Sequence, residues 1–169
     1  MAKTYAFAAP VAWTNQKLVL YHGTNDLKWS NPVEDLIRVA SGRSRTDFGT
    51  GFYTTTGLSQ ARSWAWSATR GRPSANPIVI EFTIDREDLA TLESVCFVRA
   101  DSSAEDYWSL VSHCRLGNDH ARAKNWYDVS IGPLASTWQN RMIFANTDQI
   151  SFHTNAAELV LNAALRRSV

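Results

Sequence analysis

The decapeptide Asp47-Phe48-Gly49-Thr50-Gly51-Phe52-Tyr53-Thr54-Thr55-Thr56 decides the fold. Two glycines in three residues favour a turn, and the aromatic and β-branched residues after them suit a strand. Leu58, Ala61, Trp64, Ala65 and Ala68 then recur at helical spacing, so the segment reads as a Gly-rich turn, a strand and an amphipathic helix. Upstream, Lys17 to Tyr21 (KLVLY) is a short apolar run closing on His22-Gly23, a strand that delivers its last side chains to a turn. Between the two, Asn31 to Ala40 (NPVEDLIRVA) predicts a helix, with Asn31 as N-cap, Pro32 at the first helical position and Val33, Leu36, Ile37 and Ala40 on one face.

Downstream, Ile78 to Ile84 (IVIEFTI) alternates β-branched and aromatic residues and is the clearest strand, preceded by the basic surface loop Arg70-Gly71-Arg72-Pro73. From Asp85 to Asn125 the charges are scattered and the periodicity weak. A helix is read over Glu105 to Cys114, and the stretch is expected to decorate the fold and serve substrate choice. Tyr127 to Leu134 (YDVSIGPL) reads as a strand ended by Gly132-Pro133, and Asp148 to Phe152 (DQISF) as another. The last helix is expected to start at Asn155, where Asn155 and Glu158 have capping-box spacing and Leu159, Val160, Ala163 and Ala164 supply an apolar face. Five or more short strands interrupted by amphipathic helices predict an α+β fold with a mainly antiparallel or mixed sheet. With 169 residues, 44% of them apolar, and no repeat, low-complexity tract or linker, one domain over residues 1–169 is expected.

Charged residues make up 20% of the chain and the net charge is +1, so no global basic excess announces a nucleic-acid or membrane partner. Cys96 and Cys114 have no spacing to each other or to His113 that suggests a zinc cage, and both read as buried or free thiols. The start, MAKTYAFAAPVAW, lacks the basic and long apolar regions of a secretory signal, and no run reaches ~18 apolar residues. A soluble, cytoplasmic protein is therefore expected. Seven tryptophans are many for this length; most are expected in the core and several on the rim of a groove. There is no P-loop, His-x-x-x-His, paired Cys motif or Gly-x-Ser-x-Gly elbow, so metal-dependent hydrolysis and serine-esterase chemistry lack support.

Leu20-Tyr21-His22-Gly23-Thr24 at a strand end, Asp47 to Tyr53 leading into the helix that carries Trp64, and Gln149 opening the DQISF strand stand in a telling order. That order resembles ADP-ribosyltransferases of the His-Tyr-Glu type, which include the poly(ADP-ribose) polymerase catalytic core and diphtheria-like toxins. More narrowly, D-F-G-x-G-F-Y-T-T, Q-A-x-x-W-A, Y-D-V-x-I-G-P-L-A and Q-I-S-F-H-T resemble the DUF3990 proteins, an uncharacterised bacterial branch of that superfamily. The likeness runs from about Val19 to Leu161.

The resemblance implies a split, mainly antiparallel sheet and NAD⁺ as co-substrate without a metal. His22 would hydrogen-bond the adenosine-ribose hydroxyl and the Gly23 backbone would pair with the nicotinamide carboxamide. Tyr53 would stack on the nicotinamide ring, Trp64 matches a second stacking aromatic, and Thr24, Phe48 and Gly49 complete the cofactor-binding set. Ala61 stands where relatives use a serine, so one contact to the carboxamide is absent. Gln149 stands where the family has a glutamate that steadies positive charge as the glycosidic bond breaks, and an amide offers only its dipole. The activity implied by the resemblance is transfer of single ADP-ribose units to a macromolecular acceptor, a protein before RNA or DNA. The setting it implies is a bacterial or phage toxin or effector, with room for an inhibitory partner protein. The alternative is a non-catalytic module binding NAD⁺, ADP-ribose or a protein. Among nearby carboxylates, Asp148 should face away from the ligand by strand alternation, Asp128 is the first substitute for the missing glutamate, and Asp47 is the other. His153 is expected at the surface or a strand end, Glu158 as a helix cap, and Arg43, Arg45, Arg70 and Arg72 in solvated loops; His113 and His120 are given no chemistry.

Overall fold

Apolar alternation along the first strand sets the architecture: Leu20 and His22 face one way, Tyr21 and Gly23 the other. The computed structural model describes residues 17–31, 34–118 and 126–169. Strand β1 (Lys17–Asn25) leads through a long loop to β2 (Phe52–Thr54) and helix α1 (Leu58–Thr69). Strand β3 (Pro77–Asp85) then returns antiparallel to β1, with His22 opposite Ile80 and Gly23 opposite Val79. Next come α2 (Arg86–Leu89), β4 (Ser94–Cys96), α3 (Glu105–Arg115), β5 (Val129–Gly132), β6 (Ala135–Thr137) and β7 (Met142–Ile143). The chain ends with β8 (Gln149–Phe152), α4 (Asn155–Ala163) and β9 (Leu165–Ser168). Two larger sheets, ordered β1-β3-β9 and β2-β8-β5-β4, accompany a small β6-β7 hairpin, and every pairing except β4 with β5 is antiparallel. The fold is α+β.

The two larger sheets touch through one isolated bridge, Tyr21 to Thr55. Between them lies the main core, in which Leu20, Ile80, Phe82 and Ile84 meet Val129, Ile150 and Phe152, with Ala157 and Leu161 of α4 closing it. Each fully buried aliphatic or aromatic side chain there contributes about 1.5–3 kcal/mol. On the far side of β1 and β3, α1 buries Ala61 and Ala65 against Val79 and Tyr21. The contact is so close that a Cβ on Gly23 would lie 2.0 Å from the Ala61 carbonyl oxygen, so only glycine fits. Behind the second sheet, Phe48, Tyr107, Trp108, Val111 and Ala135 form a second cluster.

Several expectations are corrected. The turn expected at His22-Gly23 is absent: β1 continues to Asn25, and both residues sit inside its ladder with β3. The helix expected over Asn31 to Ala40 does not form: Pro32 and Val33 lie outside the described residues, and the rest holds one turn, in which the Asp35 N–H bonds the Asn31 carbonyl, and a 3-10 turn at Val39–Ser41. Its backbone is satisfied from elsewhere. The Ile37 N–H donates to Asn162 Oδ1 (2.9 Å), the Asn162 amide donates back to the Ile37 carbonyl (3.1 Å), and the Val39 N–H donates to Glu158 (2.9 Å). Those bonds replace the ones a helix would supply. Glu158 is thereby occupied, and α4 is capped one residue earlier than expected, by Thr154, whose hydroxyl accepts from the Ala157 N–H. Leu159 is exposed while Ala157 and Leu161 face inward, and Ala164 ends the helix as the chain turns into β9.

The Asp85 to Asn125 stretch is more than decoration, because α3 buries Tyr107, Trp108, Val111 and Cys114; residues 119–125, including His120, lie outside the described residues. Among the described tryptophans only Trp108 is buried, its indole N–H donating to the Asp101 carbonyl, so the expectation that most would be core fails. His153 follows directly on the end of β8, one of the two places expected for it, but is buried and not at the surface. Cys96 is exposed and Cys114 buried, and neither forms a disulfide among the described residues. Among the described residues no helix is long and apolar enough to cross a membrane.

Candidate functional site

At the split between the sheets stand His22 and Gly23, the centre of the first motif. In an antiparallel strand each residue points its N–H and C=O to the same side, and successive residues alternate. Tyr21 exchanges both hydrogen bonds with Thr55 (2.8 and 2.9 Å), so Gly23, two residues on, aims its N–H and C=O at the same edge. A regular ladder would pair Gly23 with Tyr53 next. Instead β2 has diverged, and the Tyr53 carbonyl is bonded by Nδ1 of the His22 imidazole at 2.6 Å. The Gly23 amide edge therefore opens into the split, with the buried Ala61 of α1 closing it from one face.

His22 stacks on Phe52 (4.3 Å between centroids, 28° between planes), with Trp29 beyond at 6.0 Å. Burial holds its pKa down to about 4, against the opposing pull of the Tyr53 carbonyl, and the Lys28 charge lowers it further. Neutral His22 has one proton, and the carbonyl needs it on Nδ1; Nε2 is then a hydrogen-bond acceptor. The unfolded chain takes up a proton at His22 below pH 6.5 while the folded protein does not until about 4, so stability should be lost as pH falls through that window. For a half-buried ring the loss should reach about 2 kcal/mol. Urea unfolding at pH 7 and near pH 4.5 checks it: His22→Asn, which keeps a donor for the Tyr53 carbonyl but does not titrate, should lose that share of the pH dependence.

Tyr53 faces the opposite side of its strand from Phe52, toward the Gly-rich turn. Its hydroxyl accepts from the Phe48 N–H (3.0 Å), donates to the Gly49 carbonyl (2.7 Å) and meets the Thr46 hydroxyl at 2.6 Å. Burial pushes the phenol pKa up, so the group stays protonated and pins the turn. Gly49 adopts φ +80°, which suits glycine, and a Cβ on Gly51 would sit 2.7 Å from the Phe152 carbonyl and the Ser151 hydroxyl. The turn thus lies flat on β8. Phe48 is fully buried against Phe97 and Tyr107, and Thr24 is buried too, so the side chains of both serve packing.

Gln149 lies beneath that turn, 4% exposed. Its Nε2 donates to Asp47 Oδ2 and to the Pro133 carbonyl, each at 2.8 Å. Asp47, 1% exposed, also accepts from the Ala135 N–H (2.9 Å) and from Arg115 on α3, through Nε at 2.8 Å and Nη2 at 2.5 Å. The chain thus brings His22, Tyr53 and Gln149 onto neighbouring strands, but His22 lies on the Phe52 side and Gln149 is sealed on the other. Asp148 faces away from Gln149, accepting from Thr55 and Thr56 beside α1. Asp128 ties β5 to the α4 cap through the Thr154 hydroxyl and the Glu93 N–H (2.9 Å). Trp64 stands on α1, 50% exposed. A cavity of about 600 Å³ lies elsewhere, between the 3-10 turn and the start of α4, lined by Thr50, Asp128 and His153 but by none of His22, Tyr53 and Gln149. Among the described residues no three His, Cys, Asp or Glu side chains gather to hold a metal ion. Sequence reasoning missed Phe52 and Trp29 as the wall behind His22, and Arg115 as the partner of Asp47.

A family described as proteins of unknown function, DUF3990, matches residues 18–144, about three quarters of the chain. No curated protein and no solved structure matches.

Proposed function

Since the chain belongs to the DUF3990 family, we propose that it binds NAD⁺ in the split between its sheets and, as an ADP-ribosyltransferase, releases nicotinamide and passes single ADP-ribose units to a macromolecular acceptor. The observation that carries this reading is the diverted ladder at Gly23. An N–H and a C=O on one residue, turned to one edge, offer a primary carboxamide an acceptor for its N–H and a donor for its C=O. Beside them the neutral His22 presents an acceptor nitrogen suited to a ribose hydroxyl. Trp64 on the adjoining helix offers an exposed indole for stacking, while Tyr53 serves first to hold the turn. Ala61 contributes no hydroxyl, so the carboxamide relies on backbone contacts.

Purified protein, ³²P-labelled NAD⁺ and bacterial lysate test the proposal. Wild type should label an acceptor and release nicotinamide, and His22→Ala should lower both by about tenfold or more. Nicotinamide release no greater from wild type than from His22→Ala ends the enzymatic reading. A second reading, a binding module without turnover, is favoured by Gln149: both its amide hydrogens are engaged by Asp47 and Pro133, leaving the ribose side without a carboxylate from β8. Under it NAD⁺ or ADP-ribose raises the melting temperature but is not consumed.

A further inference from the structure

We propose that the outward face of α1 docks single-stranded nucleic acid. Ala61 and Ala65 bury one side of this helix, and Arg62, Trp66 and Arg70 follow one another at four-residue steps on the other. The three span two turns, about 12 Å, with the indole midway. Trp66 is 58% exposed, and the Arg70 guanidinium carbon lies 4.5 Å from its ring centroid, a cation–π contact on one face of the indole. Together with Ser63 and Ser67 they line a shallow groove.

The charge on this face is uncompensated. Residues 58–69 contain no Asp or Glu, and among the described residues neither Arg62 nor Arg70 pairs with a carboxylate. Arg72 adds a further exposed cation at the helix end, bonded to the Ala68 carbonyl. Stacking platforms flanked by cations are how proteins hold a single strand: a base covers the aromatic ring while phosphates on either side meet the positive groups. An acidic peptide would engage the arginines but gives no reason for an exposed indole between them. A net charge of +1 for the whole chain hides this patch because its cations are local.

The test needs no NAD⁺, so it stands or falls apart from the nicotinamide site. Fluorescein-labelled oligouridylate of about 12 nucleotides is titrated with the full chain at about 50 mM salt, following anisotropy and tryptophan emission. Saturable binding with quenched emission is expected. Trp66→Ala should weaken it at least about 5-fold, as loss of one base–indole stack implies. Arg62→Gln with Arg70→Gln should flatten the slope of log K against log salt by about 1.4, the value for two phosphates on a single strand. These side chains are exposed, and unchanged melting temperatures verify folding. Absent binding, wild-type affinity in Trp66→Ala, or equal competition by polyglutamate overturns the proposal, the last in favour of an acidic protein partner.

Discussion

Asp47→Ala should cost about 3–5 kcal/mol of folding stability, a large part of the ~5–15 kcal/mol that holds a domain of this size. The carboxylate is almost wholly enclosed and takes four donors: two from Arg115, the Ala135 N–H and the Gln149 amide. Truncation leaves the Ala135 N–H and one N–H of the Gln149 amide in a dry site with no acceptor, each at about 1–3 kcal/mol, while the other amide hydrogen keeps the Pro133 carbonyl. Arg115 softens the loss, since its side chain is 31% exposed and can turn to water. Asp47→Asn keeps the shape and one acceptor and should fall between Asp47→Ala and wild type. Urea unfolding read by tryptophan emission measures all three; a loss below about 1 kcal/mol for Asp47→Ala would mean that the network does not fasten the Gly-rich turn to α3 and β8.

Side-chain period made the framework legible. KLVLY, IVIEFTI and DQISF are strands, and the spacing of Leu58, Ala61 and Ala65 is α1, because in each the burying face is written in adjacent residues. The segment from Asn31 to Ala40 carried an equally regular pattern and is not a helix. The backbone bonds of its Ile37 and Val39 go to Asn162 and Glu158, more than a hundred residues away, and no local pattern reports such partners. The same holds at the site. His22 and Gly23 stood out only through the order of the motifs, because the strand expected to end there runs on to Asn25 in its ladder with β3, and the open edge at Gly23 is made by the diverted Tyr53 carbonyl from another segment. Gln149 was not legible, since its environment is made by Asp47 and Arg115 from segments far apart in the chain. A lone acid inside an apolar Gly-rich turn was the available sign that a cation must reach it, but nothing in the sequence pointed to α3 as the source.

Gln149→Glu should destabilise the protein by about 3 kcal/mol near pH 8 and by much less near pH 4. The amide it replaces gives one hydrogen to Asp47 Oδ2 and the other to the Pro133 carbonyl, so an introduced carboxylate would face two acceptors with nothing to donate. Burial and the Asp47 charge both disfavour ionisation, raising the folded-state pKa of the introduced group above its unfolded value of about 4.3. Stability is then intact below about pH 4.3, where the neutral acid can donate to Asp47, and is lost as pH rises toward the folded-state pKa. Unfolding at both pH values, with Gln149→Ala as the control that removes the amide without adding charge, isolates this effect; equal penalties at pH 4 and pH 8 would show that the introduced carboxyl escapes to solvent. The same variant bears on chemistry. If the side chain stays under the turn, a carboxylate here cannot reach a ribose, and nicotinamide release at pH 8 should not exceed that of wild type. A rise in release would instead require the side chain to leave Asp47 for the split, and would return this position to the charge-steadying role that the resemblance gives it.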